Sequence, residues 1–87
     1  MTHELKIIPK WFDDVNEYRK NFEIRKDDRN YHFGDYLLLK EWDHGSYTGR
    51  EVLRRIDYIY YGDDTYGLSK GYVILGLDTK AKVWNSC

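Results

Sequence analysis

The sequence predicts a mainly β fold of the α+β class: a small β-barrel with one early helix packed on it. Three observations lead there. Residues 9–20 alone carry a helical spacing, with Trp11, Phe12, Val15 and Tyr18 near one face. Five other stretches are rich in Ile, Leu, Val and Tyr and are separated by polar, Gly-containing loops. Parallel crossovers need further helices, and no other segment has the pattern, so the strands are expected to be mostly antiparallel.

ELKIIP (4–9) alternates as a short strand that Pro9 ends. In the helix that follows, Pro9 or Lys10 sits near the first turn, where a missing N–H removes no hydrogen bond. Asp13 and Asp14 suit its positive N-terminal end, and Arg19 and Lys20 its C-terminal end. NFEIRK (21–26) reads as a strand and KDDRN (26–30) as a polar turn. In YHFGDYLLLKEW (31–42), a turn at Gly34-Asp35 leads into a strand with Leu37, Leu38 and Leu39 as a buried run. DHGSYTG (43–49) is a loop by composition. REVLRRIDYIYYG (50–62) is a long strand with apolar residues on both faces, which predicts a bulge or a bend. DDTYGLSKG (63–71) is a second loop, and GYVILGLD (71–78) is a strongly β-prone inner strand. Residues 79–87 read as a loosely ordered tail in which Trp84 is a candidate to dock.

The 87 residues make one domain, 1–87, with a single core. With 41% hydrophobic and 17% aromatic residues, disorder is not expected. A net charge of −1 argues against coating nucleic acid through bulk electrostatics and leaves room for a local basic face. The sole cysteine, Cys87, is the last residue, so no internal disulfide is expected, and it is poorly placed as a nucleophile. There is no apolar leader and no 18-residue apolar run, which predicts a cytoplasmic protein with no membrane partner. His3, His32 and His44 lack ligand spacing and read as isolated loop histidines, so neither a metal nor a cofactor is expected. Phosphate-binding glycine loops and the nucleophile elbow are missing. Tyr58, Tyr60, Tyr61 and Tyr66 either stack on bases or serve as half-buried strand residues. Arg54 and Arg55, being adjacent, face opposite sides of a strand and read as solvated. No feature specifies an oligomeric state.

The most informative stretch is YRKNFEIRK (18–26), with four cations and one carboxylate in nine positions. In a strand, Lys20, Phe22, Ile24 and Lys26 share one side, and Arg19, Asn21, Glu23 and Arg25 the other. The stretch resembles the motif of the ASCH domain family, part of the PUA-like superfamily, which reads G-x-K-x-x-E-x-R after the first helix. Tyr18, Lys20, Glu23 and Arg25 hold the matching positions. Tyr18 replaces the Gly, so the tight helix-to-strand turn is expected to be made differently. FGD (33–35), YTGRE (47–51) and GYVILGL (71–77) extend the likeness over about residues 3–78.

The resemblance implies a PUA-like β-barrel with a cleft beside the first helix, lined by the motif residues, and RNA or a modified nucleoside as its ligand. Arg19, Lys20, Glu23, Arg25 and Lys26 are the candidate ligand-binding residues. Lys20 offers a point charge and Arg25 a planar fork. Glu23 either accepts from an exocyclic amine or holds Arg25 in place, in which case the pair only braces the barrel mouth. Two alternatives stand beside this reading. One is a small amidohydrolase acting on an acylated nucleoside such as N4-acetylcytidine, similar to some small bacterial ASCH-like proteins. There Lys20 is the catalytic base, and Glu23, standing where those enzymes carry a nucleophilic Thr, activates water. The other is a protein-interaction domain.

Overall fold

The computed structural model describes residues 1–79; most of the expected tail (80–87), including Trp84 and Cys87, lies outside the described residues. The elements are β1 (Thr2–Ile7), α1 (Pro9–Asn16), β2 (Phe22–Lys26), β3 (Tyr36–Asp43), β4 (Ser46–Tyr61) and β5 (Tyr72–Leu77). They form one five-stranded sheet in the order β1-β3-β4-β5-β2.

This arrangement corrects the expected barrel. The sheet is open: β1 and β2 are its edges and do not pair with each other. It is also mixed, because β1 runs parallel to β3, from Thr2 opposite Tyr36 to Ile7 opposite Glu41. One helix suffices for one parallel pair, since the chain between β1 and β3 carries α1. Within that connection β2 swings to the far edge and pairs antiparallel with β5 instead of closing onto β1. Side chains bridge the edges where backbone does not. Arg25 Nη2 donates to the Lys6 carbonyl at 2.9 Å, and Arg29 Nη1 donates to the Glu4 carbonyl at 2.9 Å. Both guanidinium groups occupy outward carbonyls of β1 and so blunt an edge otherwise open to strand addition.

Several boundaries differ for local reasons. The expected 43–49 loop is a tight hairpin: His44 and Gly45 both have positive φ (49° and 91°), and β4 begins at Ser46. β4 is 16 residues long, so its first half pairs with β3 and its second with β5. The register with β5 shifts between Ile56 and Tyr58, the irregularity its two-faced apolar pattern foretold. Leu37 and Leu39 are buried, whereas Leu38 is half-buried on the opposite face. His3 is no loop residue. It is buried in β1, where its Nε2 lies 2.8 Å from Asp35 Oδ2.

The helix ends sooner than its apolar spacing suggests, and Asp13 and Asp14 lie past its first turn. Tyr18 adopts φ 63°, and the N–H groups of Arg19 and Lys20 both donate to the Asp14 carbonyl at 2.8 and 2.9 Å. The left-handed turn that favours Gly is therefore made by Tyr18 itself, contrary to expectation, and Arg19 and Lys20 lie beyond the helix.

Arg54 corrects another reading. It is not solvated but 1% exposed, while its neighbour Arg55 faces out and pairs with Asp57 at 3.0 Å. Arg54 Nη1 donates to the Val15 carbonyl at 2.8 Å, and Nη2 donates to Asn21 Oδ1 at 2.7 Å and to the Asp78 carbonyl. Its guanidinium also lies 4.2 Å from the centre of the Tyr18 ring. One side chain thus joins β4 to the end of α1, to the turn before β2 and to the end of β5. A second polar clamp holds α1 against the β3–β4 hairpin. Buried Glu41 accepts from Thr48 Oγ1 (2.7 Å), Arg50 Nε (3.0 Å) and Arg50 Nη2 (2.9 Å), and Arg50 reaches Asp13 at 2.9 Å.

Replacing Arg54 with Met strands these acceptors, and we expect a stability loss of about 3 kcal/mol in urea denaturation. Arg50 and Thr48 hold the Glu41 carboxyl down to about 2. A depressed carboxyl stabilises the fold above its unfolded pKa and loses that contribution as the pH falls through the folded value. Stability should therefore decline between about pH 4.5 and 2, and Glu41→Gln should flatten that decline in melting curves across the window.

Candidate ligand-binding cleft

β2 inverts the usual rule for a half-buried strand. Its alternation is the expected one, yet the charged side turns inward: Glu23 is 4% exposed, whereas Phe22 and Ile24 are 42% and 53% exposed. Glu23 can be buried because both carboxylate oxygens are engaged. Lys20 Nζ donates to Oε2 at 2.6 Å, and Arg25 donates to Oε1 through Nε at 3.0 Å and Nη2 at 2.8 Å. Lys20 Nζ also donates to the Phe22 carbonyl at 2.8 Å. The result is a fixed row, Lys20–Glu23–Arg25, stapled to β1 by the Arg25–Lys6 contact.

Above this row, between the two sheet edges and α1, lies a cleft of about 660 Å³ open to solvent. That volume falls within the range of small-molecule sites. Its cationic lining residues are Lys6, Arg19, Lys20 and Arg25, against the single carboxylate of Glu23. Its apolar walls come from Ile7 at the end of β1, Ile8 after it, Trp11 on α1, and Phe22 and Ile24 on β2. Ile7 belongs to the core at 3% exposed, but Trp11 and Ile8 are 40% and 48% exposed, so most of the wall lies outside the core. Lys20 Nζ lies between two rings, 4.7 Å from the centre of Phe22 and 5.8 Å from that of Trp11.

Of the five candidate residues, the fold brings four together. Lys20, Glu23 and Arg25 converge, and Arg19 joins the lining while donating to Asp14 and Glu17 at 2.9 and 2.7 Å. Lys26 is exposed at the end of β2 and does not line the cleft. Sequence reasoning did not single out Trp11, which it placed only on the apolar face of the helix, nor Lys6 and Ile8, which carry no motif. The exposed aliphatic Ile8 beside Pro9 was the available signal for a wall there. Tyr18 lies outside the lining, its ring turned onto Arg54, so its size does not fill the cleft.

Donor capacity remains at the cleft floor. An ammonium has three N–H groups and a guanidinium five. Among the described residues, Lys20 uses two acceptors, and nothing accepts from Arg25 Nη1. Also among the described residues, no group of three or more His, Cys, Asp or Glu could hold a metal ion, and no helix is long and apolar enough to cross a membrane.

The fold and the cleft define a small open-sheet domain with a cationic, aromatic-walled recess between its edges. Residues 2–77 match the model described as domain of unknown function DUF3850, and the chain belongs to that family. It is also similar to the uncharacterized 12.9 kDa protein in the GpA 3′ region of Escherichia phage P2, being 54% identical over 54 residues. That match covers 62% of this chain and 50% of the phage protein, so it spans about half of that relative's length.

Glu23→Gln removes the charge that holds Lys20 and Arg25 in place. Because both cations reach water, the expected stability loss is modest, about 1–2 kcal/mol. The Arg25 side-chain Nε–H resonance should broaden or shift in the same variant as its contact with Glu23 weakens.

Proposed function

We propose that this protein is a binding module that holds a nucleotide, free or within single-stranded RNA, in the cleft between β1, β2 and α1. The observation that carries the reading is the convergence of Lys20 and Arg25 on Glu23 beneath exposed Trp11 and Phe22. The Glu23 carboxylate fixes both cations, and their unused N–H groups suit a phosphate, which takes Arg as a fork and Lys as a point charge. Exposed aromatic walls suit a base, since every base offers a π-face. The likeness to the ASCH motif supports the same reading, because its Lys, Glu and Arg positions fall on this one row. The cleft is open and its one lining carboxylate has both oxygens engaged, features that favour binding over the amidohydrolase alternative.

The test is a titration of labelled protein, followed by NMR, with uridine 5′-monophosphate and a short oligouridylate. Shifts should cluster on residues 18–26, Ile8 and Trp11. Lys20→Ala and Arg25→Ala should each weaken binding by about tenfold, and the salt slope should be shallow, matching one or two phosphates. An unchanged spectrum at millimolar ligand would overturn the reading.

A further inference from the structure

The backbone of β2 adds an element that the side chains do not. The Asn21 carbonyl accepts from the Leu77 N–H at 3.0 Å, and the Asp27 N–H donates to the Gly71 carbonyl at 2.8 Å. With the antiparallel register of Phe22 opposite Gly76 and Ile24 opposite Ile74, the odd-numbered residues of β2 face β5. The N–H and C=O groups of Phe22, Ile24 and Lys26 therefore point away from β5, along the free edge. Two of those carbonyls are already engaged: Phe22 accepts from Lys20 Nζ, and Lys26 accepts from the Asp28 N–H at 2.9 Å. Among the described residues, Ile24 alone of the three keeps both its donor and its acceptor unpartnered, and Ile24 lines the cleft.

Resting on the nucleotide reading above, we infer that the Ile24 main chain reads the base: its N–H and C=O pair with a heterocycle that presents an acceptor next to a donor. The ligand class is a nucleobase with a free Watson–Crick edge. Its phosphate lies toward Lys20 and Arg25, and its ring lies along the apolar wall of Trp11, Phe22 and Ile8. A strand-like peptide would use the same two groups. It would also need the carbonyls of Phe22 and Lys26, and those are taken, so one donor–acceptor pair fits a base edge better than a β-strand. Each unpaired group is costly once a ligand covers it, and that cost gives the edge its power to discriminate.

The experiment compares uridine 5′-monophosphate with 3-methyluridine 5′-monophosphate, whose methyl group blocks the N3 donor. The wild-type protein should bind the unblocked nucleotide about tenfold more tightly, and the Ile24 amide proton should move downfield with that ligand only. Ile24→Pro deletes the outward N–H without cutting a bond to β5, a position where an edge strand tolerates Pro. It should bind uridine 5′-monophosphate more weakly than the wild type does and keep only a reduced preference over the methylated nucleotide, because the Ile24 carbonyl that accepts from N3–H remains. Equal affinities for the wild type, or an unmoved Ile24 amide during binding, would overturn this inference and leave nucleotide binding standing. Failure of both nucleotides to bind would overturn the two together. A short extended peptide that moves the Ile24 amide when neither nucleotide does would reassign the edge to strand addition.

Discussion

Arg54 brings a permanent positive charge into the interior of a fold with one small core, and the rest of the structure is arranged around satisfying it. A guanidinium without water needs acceptors in its own plane. Here they come from three places distant in sequence: the Val15 carbonyl at the end of α1, Asn21 before β2, and Asp78 after β5. The flat face is covered by the Tyr18 ring. Lys could not replace it, because an ammonium presents no rigid fork to three directions. The turn that Arg54 organises is the one that carries Lys20 and delivers Glu23 and Arg25 to β2. The cleft therefore inherits its geometry from a residue that does not touch it. Asn21 strengthens the link by donating from Nδ2 to the Tyr18 carbonyl at 2.9 Å, which helps hold Tyr18 at positive φ.

Open edges explain why the cleft exists. A closed barrel would put backbone hydrogen bonds where the recess now lies. β2 pairs with β5 instead, so the gap facing β1 is crossed by guanidinium groups rather than by a ladder. Side-chain bridges are discrete: Arg25 and Arg29 seal the levels of Lys6 and Glu4 and leave the level of Ile8 and Trp11 open. The same Arg25 that closes the edge also floors the site, so stability and binding share one residue.

Much of the architecture was legible in the sequence, and the failures have physical causes. Strand positions followed from Val, Ile, Leu and Tyr runs, and the bend in β4 from apolar residues on both of its faces. Closure was not legible, because whether β1 meets β2 is decided by where β2 finds a partner, a fact with no local signature. The hairpin at His44-Gly45 hid inside a stretch whose Gly, Ser and Thr content reads as loop, although Tyr47 pairs opposite Trp42. The burial of Arg54 was hidden because two of its acceptors are main-chain carbonyls, which composition does not reveal. Its alternation with Arg55 was readable; its environment was not. At the site, Lys20, Glu23 and Arg25 could be picked out by motif. Trp11, Ile8 and Lys6 could not, because their role depends on the approach of two edges.

β2 shows why residue type alone does not decide which face is buried. Hydrophobicity would turn Phe22 and Ile24 inward and leave Glu23 in water. The observed strand does the reverse because Glu23 meets Lys20 and Arg25 on the inner side, so its charge is compensated in place. With the phase of the strand set by that ion row, Phe22 and Ile24 must face outward, whatever their cost. At roughly 25 cal/mol per Å² of apolar surface, exposing them is a standing penalty that a more conventional strand would avoid. A ligand laid along that wall removes the penalty while its charged end meets the unused donors of the same row. Burying the charge and exposing the apolar residues are thus one structural choice, and on the nucleotide reading both halves of it serve the cleft.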